Sequence, residues 1–148
     1  MQRVTRAAVH VGDETVGEIG RGLCLLCCSV TEETDADVDW LADKIVDLRV
    51  FDDADGRTNL SIEDVGGAVL VVPQFTLAAA WRKGRRPSFT ASAPPDVAVP
   101  RLERLIARVE ARGVPAARGR FGAEMRVELV NQGPFTLVLD SAERPRSS

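Results

Sequence analysis

The sequence holds one histidine, His10, in 148 residues. That scarcity excludes any site within one chain that needs two histidines, including most catalytic zinc triads. A histidine-dependent serine or cysteine hydrolase would have to use His10 itself. No G-x-S-x-G elbow is present to bring a serine to it, and it alternates with small and apolar residues on a predicted strand, so it reads as structural. The chain also lacks a phosphate-cradling G-x-x-x-x-G-K loop and a dinucleotide fingerprint, so no cofactor and no metal is expected. No apolar run approaches the ~20 residues that span a bilayer, and the N-terminus has no signal-peptide core. Cysteine is limited to Cys24, Cys27 and Cys28, an odd count in one apolar run, which argues for a reducing cytosol rather than a secreted disulfide framework. The expectation is a cytoplasmic protein with no membrane partner. Cys24 and Cys27 have the spacing of a redox pair, but they fall inside a predicted buried strand and not at a helix N-terminus, where thiol pKa falls; core packing is preferred.

The composition is that of an ordinary globular domain, with 45% hydrophobic and 28% charged residues. At this length one domain is expected, over residues 1–141, followed by a polar tail, 142–148, that frays. The net charge of -3 would alone count against a nucleic-acid partner, because phosphate binding rests on Lys and Arg. Its distribution matters more. Acidic residues crowd positions 32 to 39 and 52 to 55, while Arg82, Lys83, Arg85 and Arg86 form one basic cluster.

Alternation predicts a strand over Arg3 to Val11, turned by Gly12-Asp13 into a partner over Thr15 to Ile19, and then a buried strand over Leu23 to Val30. Thr34 is placed to cap a helix carrying Val38, Leu41, Ala42, Ile45 and Leu48 and ending near Arg49. Val50-Phe51 and Leu60 to Ile62 flank a turn-rich segment whose likeness to a calcium loop fails at Phe51 and at Ile62. A second buried strand over Ala68 to Val72 runs into Pro73-Gln74-Phe75-Thr76-Leu77, where alternation would put Gln74 and Thr76 on one face. Residues 80 to 95 read as loop, Val99 to Arg112 as a helix ended by Gly113, and Met125 to Asn131 and Thr136 to Asp140 as strands. Asn131-Gln132-Gly133-Pro134 between them is by default a hairpin turn, though X-Pro is also the one bond where a cis peptide is cheap. The basic cluster is likewise either a solvated loop or an RNA contact.

Read together, Gly17-Glu18-Ile19-Gly20, Asn59-Leu60-Ser61, Gln74-Phe75-Thr76-Leu77, Arg82-Lys83-Gly84-Arg85-Arg86-Pro87-Ser88-Phe89, Gly119-Arg120-Phe121-Gly122-Ala123 and Asn131-Gln132-Gly133-Pro134 resemble the D-aminoacyl-tRNA deacylase family, nearly end to end. The resemblance implies a single-domain, three-layer α/β/β fold with two β-sheet layers and two main helices, acting as a homodimer on the 3′ end of aminoacyl-tRNA. It implies catalysis at Gln74, Phe75 and Thr76. Substrate would be lined by Gly133, Pro134, Pro73, Asn131, Phe89 and Met125, with Arg3 bracing a cis Gly-Pro loop supplied by the partner subunit, and tRNA held by Arg82, Lys83, Arg85 and Arg86. The Gly-Pro main chain would reject an L side chain and admit D-amino acids and glycine, with the terminal 2′-hydroxyl assisting the reaction. Alternatives are Thr76 as a nucleophile, which has no evident base, and a non-catalytic RNA-binding module. Two departures bear on specificity: Pro73 stands where most bacterial members resemble Ser-Gln-Phe-Thr-Leu, and Phe135 where a small β-branched residue follows Gly-Pro. Both resemble a branch that accepts L-alanine from mischarged tRNA.

Overall fold

The computed structural model describes residues 1–147. Strand β1 (Gln2–Val11) turns through Gly12-Asp13 into antiparallel β2 (Glu14–Ile19), and β3 (Gly22–Cys27) follows. Helix α1 (Asp35–Asp47) begins at a reciprocal cap: the Thr34 hydroxyl accepts from the Asp37 N–H at 3.3 Å, and Asp37 Oδ2 accepts from the Thr34 N–H at 2.9 Å. A two-stranded ribbon, β4 (Phe51–Asp52) and β5 (Thr58–Leu60), precedes β6 (Ala68–Pro73), which lies parallel to β3. Helix α2 (Pro95–Ala111), β7 (Ala116–Arg118) parallel to β6, and β8 (Arg126–Thr136) antiparallel to β1 complete the order.

Six strands form one sheet in the order β2-β1-β3-β6-β7, with β8 also paired to β1. Because side chains alternate along a strand, the sheet buries both faces. Leu23, Leu25, Val69 and Val71 pack on Val38, Ile45, Leu105 and Val109 of the helices. The intervening Cys24, Leu70 and Val72 pack on Val4, Val9 and Ile19 of the β1-β2 hairpin. The expected α/β/β layering is therefore present, and it arises from one sheet folded over itself, beside the small β4-β5 ribbon. Gly17 permits the closure: a Cβ there would lie 2.5 Å from the Arg118 carbonyl oxygen.

The acidic residues that crowd α1 are met by α2. Arg104 donates twice to Asp39 (2.7 and 2.8 Å), Arg108 twice to Asp43 (2.9 and 2.8 Å), and Arg112 reaches Asp47 and Glu63 (2.6 and 2.7 Å). The constant four-residue step on both helices makes them parallel neighbours. Hydrogen bonds from Arg104 and Arg108 hold the Asp39 and Asp43 carboxyls below the usual carboxylate range.

Four expectations are corrected. β3 ends at Cys27, not Val30, and α2 starts at Pro95, four residues before Val99, because Pro95 fits the first helical turn, where no N–H is needed. Strand β7 was not anticipated. Thr136 to Asp140 is not a separate strand: β8 runs on to Thr136, and beyond it the Leu137 N–H bonds the Met1 carbonyl at 2.9 Å. A 3-10 turn spans Ser141–Glu143, and Arg144 pairs with the buried Asp37 at 3.0 Å; Ser148 lies outside the described residues. No helix among the described residues is long and apolar enough to cross a membrane.

Donation from the Thr34 hydroxyl and N–H, with Arg144 adding, holds the Asp37 carboxyl at about 2. A depressed carboxyl stabilises the fold above its ordinary pKa near 4, and that contribution is lost as pH falls toward 2. Asp37→Asn should lower the melting temperature by roughly 2–4 °C at pH 7. Melts of both proteins across pH 2–7 should converge at the acid end; a pH-independent gap would contradict the assignment.

Candidate functional site

β1 and β8 pair from His10 opposite Arg126 to Val4 opposite Asn131, and pairing resumes at Gln2 opposite Thr136. A two-residue step on β1 thus faces a five-residue step on β8, so Gln132, Gly133, Pro134 and Phe135 leave the sheet as an excursion. Asn131 closes its base: Oδ1 accepts from the Phe135 N–H at 2.6 Å, and Nδ2 donates to Thr136 Oγ1 at 2.9 Å and Gln2 Oε1 at 3.1 Å. Arg3, directly across on β1, donates from Nε to the Gln132 carbonyl at 3.0 Å and from Nη1 to the Val50 carbonyl at 2.8 Å. Its guanidinium carbon lies 4.6 Å from the centre of the Phe135 ring. The Gly133-Pro134 bond is cis. Gly133 has φ 141°, and a Cβ there would meet the Phe135 nitrogen at 2.8 Å, so only glycine fits.

The second group stands at the end of β6. The Gln74 N–H donates to the Cys27 carbonyl at 2.7 Å, and the chain then winds into a 3-10 turn, Phe75–Ala78. Strand alternation therefore stops at Pro73, and the expected shared face of Gln74 and Thr76 is not formed. The physical reason is that Pro73 offers no N–H and β7 ends at Arg118, opposite Val71, so that edge of the chain has no neighbour to hold it extended. Among the described residues neither the Phe75 nor the Thr76 N–H has an acceptor. The Phe75 carbonyl accepts from Ser92 Oγ at 2.9 Å, with Cys28 Sγ at 3.6 Å. The Phe75 ring meets Phe89 edge-on, 5.1 Å between centres. Met125 adjoins this group through Gly119, where a Cβ would lie 2.8 Å from Met125 Sδ and 3.5 Å from Pro73.

Pro73, Gln74, Phe75, Thr76, Phe89 and Met125 are thus brought together, and Arg3, Asn131, Gly133 and Pro134 form the other group. No hydrogen bond or ring contact joins the two groups among the described residues. Sequence reasoning missed Ser92, Cys28 and Gly119. Gly119 carried a signal in its glycine-rich segment, but a hydroxyl that reaches a carbonyl seventeen residues away leaves none.

Arg82, Lys83, Arg85 and Arg86 sit on a third feature, an exposed loop closed by paired hydrogen bonds between Ala80 and Ser88 (2.8 and 2.9 Å). None of the four has an acidic partner among the described residues. His10 is held elsewhere, Nδ1 3.0 Å from Thr15 Oγ1 and Nε2 3.1 Å from Glu128 Oε2. Burial pushes the Cys27 thiol up to about 12 and Cys24 to about 11, so neither supplies a thiolate near neutral pH. A mostly apolar cavity of about 350 Å³ lies between the helices and residues 136–141, and none of the expected site residues lines it.

The family model described as D-Tyr-tRNA(Tyr) deacylase matches residues 1–140. A D-aminoacyl-tRNA deacylase of Chloroflexus aurantiacus is 54% identical over 143 residues, 97% of this chain and 89% of that protein. One from Desulforudis audaxviator is 52% identical over 141 residues, 95% of each. The solved structure of a c-Myc DNA Unwinding Element Binding Protein superposes with a TM-score of 0.88 at 37% identity, covering 94% of this chain and 95% of that one. A probable eukaryotic D-amino acid tRNA deacylase shares the fold, with TM-score 0.72 at 21% identity over 89% and 92% of the two chains. Fold and relatives together define the class, ester hydrolases of the layered α/β deacylase type. Within it, the chain belongs to the D-aminoacyl-tRNA deacylase family.

Arg3 is nearly enclosed, and its charged donors satisfy two main-chain carbonyls, each such bond contributing about 1.5–3 kcal/mol. Arg3→Ala should destabilise the fold by roughly 2–4 kcal/mol in urea titration. Arg3→Lys should recover less than half, because one ammonium cannot span both carbonyls and the ring. Equal stability of Arg3→Lys and wild type would contradict this bracing.

Proposed function

We propose that this chain hydrolyses the ester joining a D-amino acid to the 3′-terminal ribose of tRNA, in the cytoplasm, as a homodimer. Each site would combine the Pro73-Gln74-Phe75-Thr76 segment of one subunit with Gly133 of the partner subunit and Pro134 of the partner subunit. The main observation in favour is at Phe75 and Thr76: two main-chain N–H groups without acceptors, beside two phenyl rings, in a chain whose one histidine is engaged on another strand. Separation of the two groups within one chain supports assembly across a subunit boundary, as does β8, which among the described residues pairs only with β1 and exposes Val127 and Val130.

In this reading water adds to the ester carbonyl carbon, and the Phe75 and Thr76 N–H groups donate to the oxygen that becomes negative. The C–O bond to the ribose then breaks, and the 3′ oxygen leaves with a proton. The neighbouring 2′-hydroxyl of the substrate assists the proton transfers, so no protein nucleophile, metal or cofactor is used. Positioning alone supplies roughly 7–11 kcal/mol in well-oriented reactions. Gln74 and the rings of Phe75 and Phe89 line the pocket with Pro73 and Met125, and Asn131 and Arg3 hold the Gly-Pro excursion. An L side chain would point into main-chain atoms of that excursion, a D side chain would point to solvent, and glycine would enter as well. Arg82, Lys83, Arg85 and Arg86 bind tRNA phosphates.

Thr76→Ala should keep measurable deacylation of D-tyrosyl-tRNA, whereas replacing the terminal 2′-hydroxyl by hydrogen should abolish it. A folded, inactive Thr76→Ala with full activity on the deoxy substrate would return the nucleophile to Thr76.

A second reading, relaxed specificity toward L-alanyl-tRNA, is favoured by Pro73, which offers the pocket neither hydroxyl nor N–H. Phe135 does not strengthen it, since its ring packs under Arg3 and against the helix-side core. Pro73→Ser should lower deacylation of glycyl- and L-alanyl-tRNA relative to D-tyrosyl-tRNA, measured side by side. Unchanged ratios would reduce Pro73 to the residue that ends β6.

A further inference from the structure

The chain has two tryptophans in contrasting settings. Trp40 is half-buried on α1, with the Lys44 ammonium 5.8 Å from its ring centre. Trp81 is 69% exposed, at the start of the loop that Ala80 and Ser88 close. No aromatic or cation contact covers its ring among the described residues. A large apolar ring left in water is unfavourable unless a partner takes it. The ring's neighbours state the partner's chemistry. Arg82, Lys83, Arg85 and Arg86 are exposed and without acidic partners among the described residues, whereas Arg104, Arg108, Arg112 and Arg118 all pair with carboxylates.

Unpaired cations beside an open aromatic face are what a single-stranded nucleic acid needs, phosphates for the cations and a base for the ring. An acidic protein segment would meet the cations but present nothing planar to the indole. Continuity fixes where the strand goes. The loop leaves directly from the Phe75–Ala78 turn and returns at Ser88, next to Phe89, whose ring abuts Phe75.

We propose that Trp81 is a stacking platform for an unpaired base of the RNA whose 3′ end enters the site; the inference rests on the tRNA reading above. The indole takes a base face, with little regard to which base, while the four cations take phosphates on either side. Stacking carries no counterion release, so its contribution to affinity is independent of salt, unlike that of the arginines.

In a Trp40→Phe background Trp81 is the sole tryptophan reporter. Titration with a six-nucleotide single-stranded RNA of the tRNA 3′ sequence should quench its fluorescence. Trp81→Ala should weaken binding about tenfold without changing the slope of log K against log salt, and Trp81→Phe should restore most of the affinity. Arg85→Ala should instead flatten that slope by about one unit. Unquenched fluorescence with intact binding would overturn the platform, and so would quenching that follows protein concentration without RNA, which would assign the ring to a contact between copies. With D-tyrosyl-tRNA, Trp81→Ala should raise KM and spare kcat. Quenching by RNA in a protein that never deacylates would sink the proposed reaction and leave the platform standing.

Discussion

Strand β1 is hydrogen-bonded along both edges, and the positions of the candidate functional segments follow from that constraint. β8 runs along one edge, and β3 and then β2 share the other. A strand with no free edge fixes the register of every neighbour, so the mismatch between β1 and β8 near Gln2 and Val4 has only one outlet, a bulging of β8. The Gly133-Pro134 excursion is that outlet. Arg3 belongs to β1 itself, so the strand that forces the excursion also holds it, through the Gln132 carbonyl, and ties it to Val50 beside the β4-β5 ribbon. Through β3 the same strand sets β6, which pairs in parallel with β3 and ends at the Pro73 turn.

Charge is arranged by a comparable division of labour. Surface ion pairs contribute little singly, on the order of 0–1 kcal/mol, but the alternating ladder of α1 and α2 occupies carboxylates that would otherwise repel RNA. The net charge of -3 therefore says little about the surface near Arg82 to Arg86. Across a Debye length of about 8 Å the potential near that loop is governed by its own cations.

Elements whose causes are local were legible in the sequence. The Thr34 cap, the β1-β2 hairpin and the apolar stripes of both helices depend on residues within a few positions of one another, and they form, although Leu48 caps α1 from beyond its last turn and Val46 joins its buried face. What failed to show depends on distant pairing. Strand β7 has three residues, Ala-Ala-Arg, with no alternation to find, and exists because β6 offers an edge. The Phe75–Ala78 turn read as strand because the apolar run continues past Pro73, while the missing neighbour beyond Arg118 cannot be seen locally. At the candidate site the residue types were legible through Gln74-Phe75-Thr76 and Gly133-Pro134, and of their supports Arg3 was read through the family resemblance while the others were not. The Ser92 bond to Phe75 and the Arg3 bond to Val50 are long-range hydrogen bonds that no local pattern announces.

In the proposed reaction, a chain with a single, engaged histidine gains from putting its chemistry on the main chain. Side-chain acids and bases must be tuned in pKa to act near neutral pH. Main-chain donors need only be aimed, and aiming is a property of peptide planes. The Phe75 carbonyl and the Thr76 N–H belong to one such plane. Ser92, by donating to that carbonyl at 2.9 Å, fixes the direction of the N–H on its far side and, by polarising the peptide, strengthens it as a donor. On the other group, Arg3 and Asn131 do the corresponding work for the Gln132 carbonyl and the Phe135 N–H. The side chains nearest the proposed reaction thus serve chiefly to orient backbone. In the proposed reaction that arrangement would suit discrimination by handedness, because a main-chain wall cannot rotate aside as a side chain can.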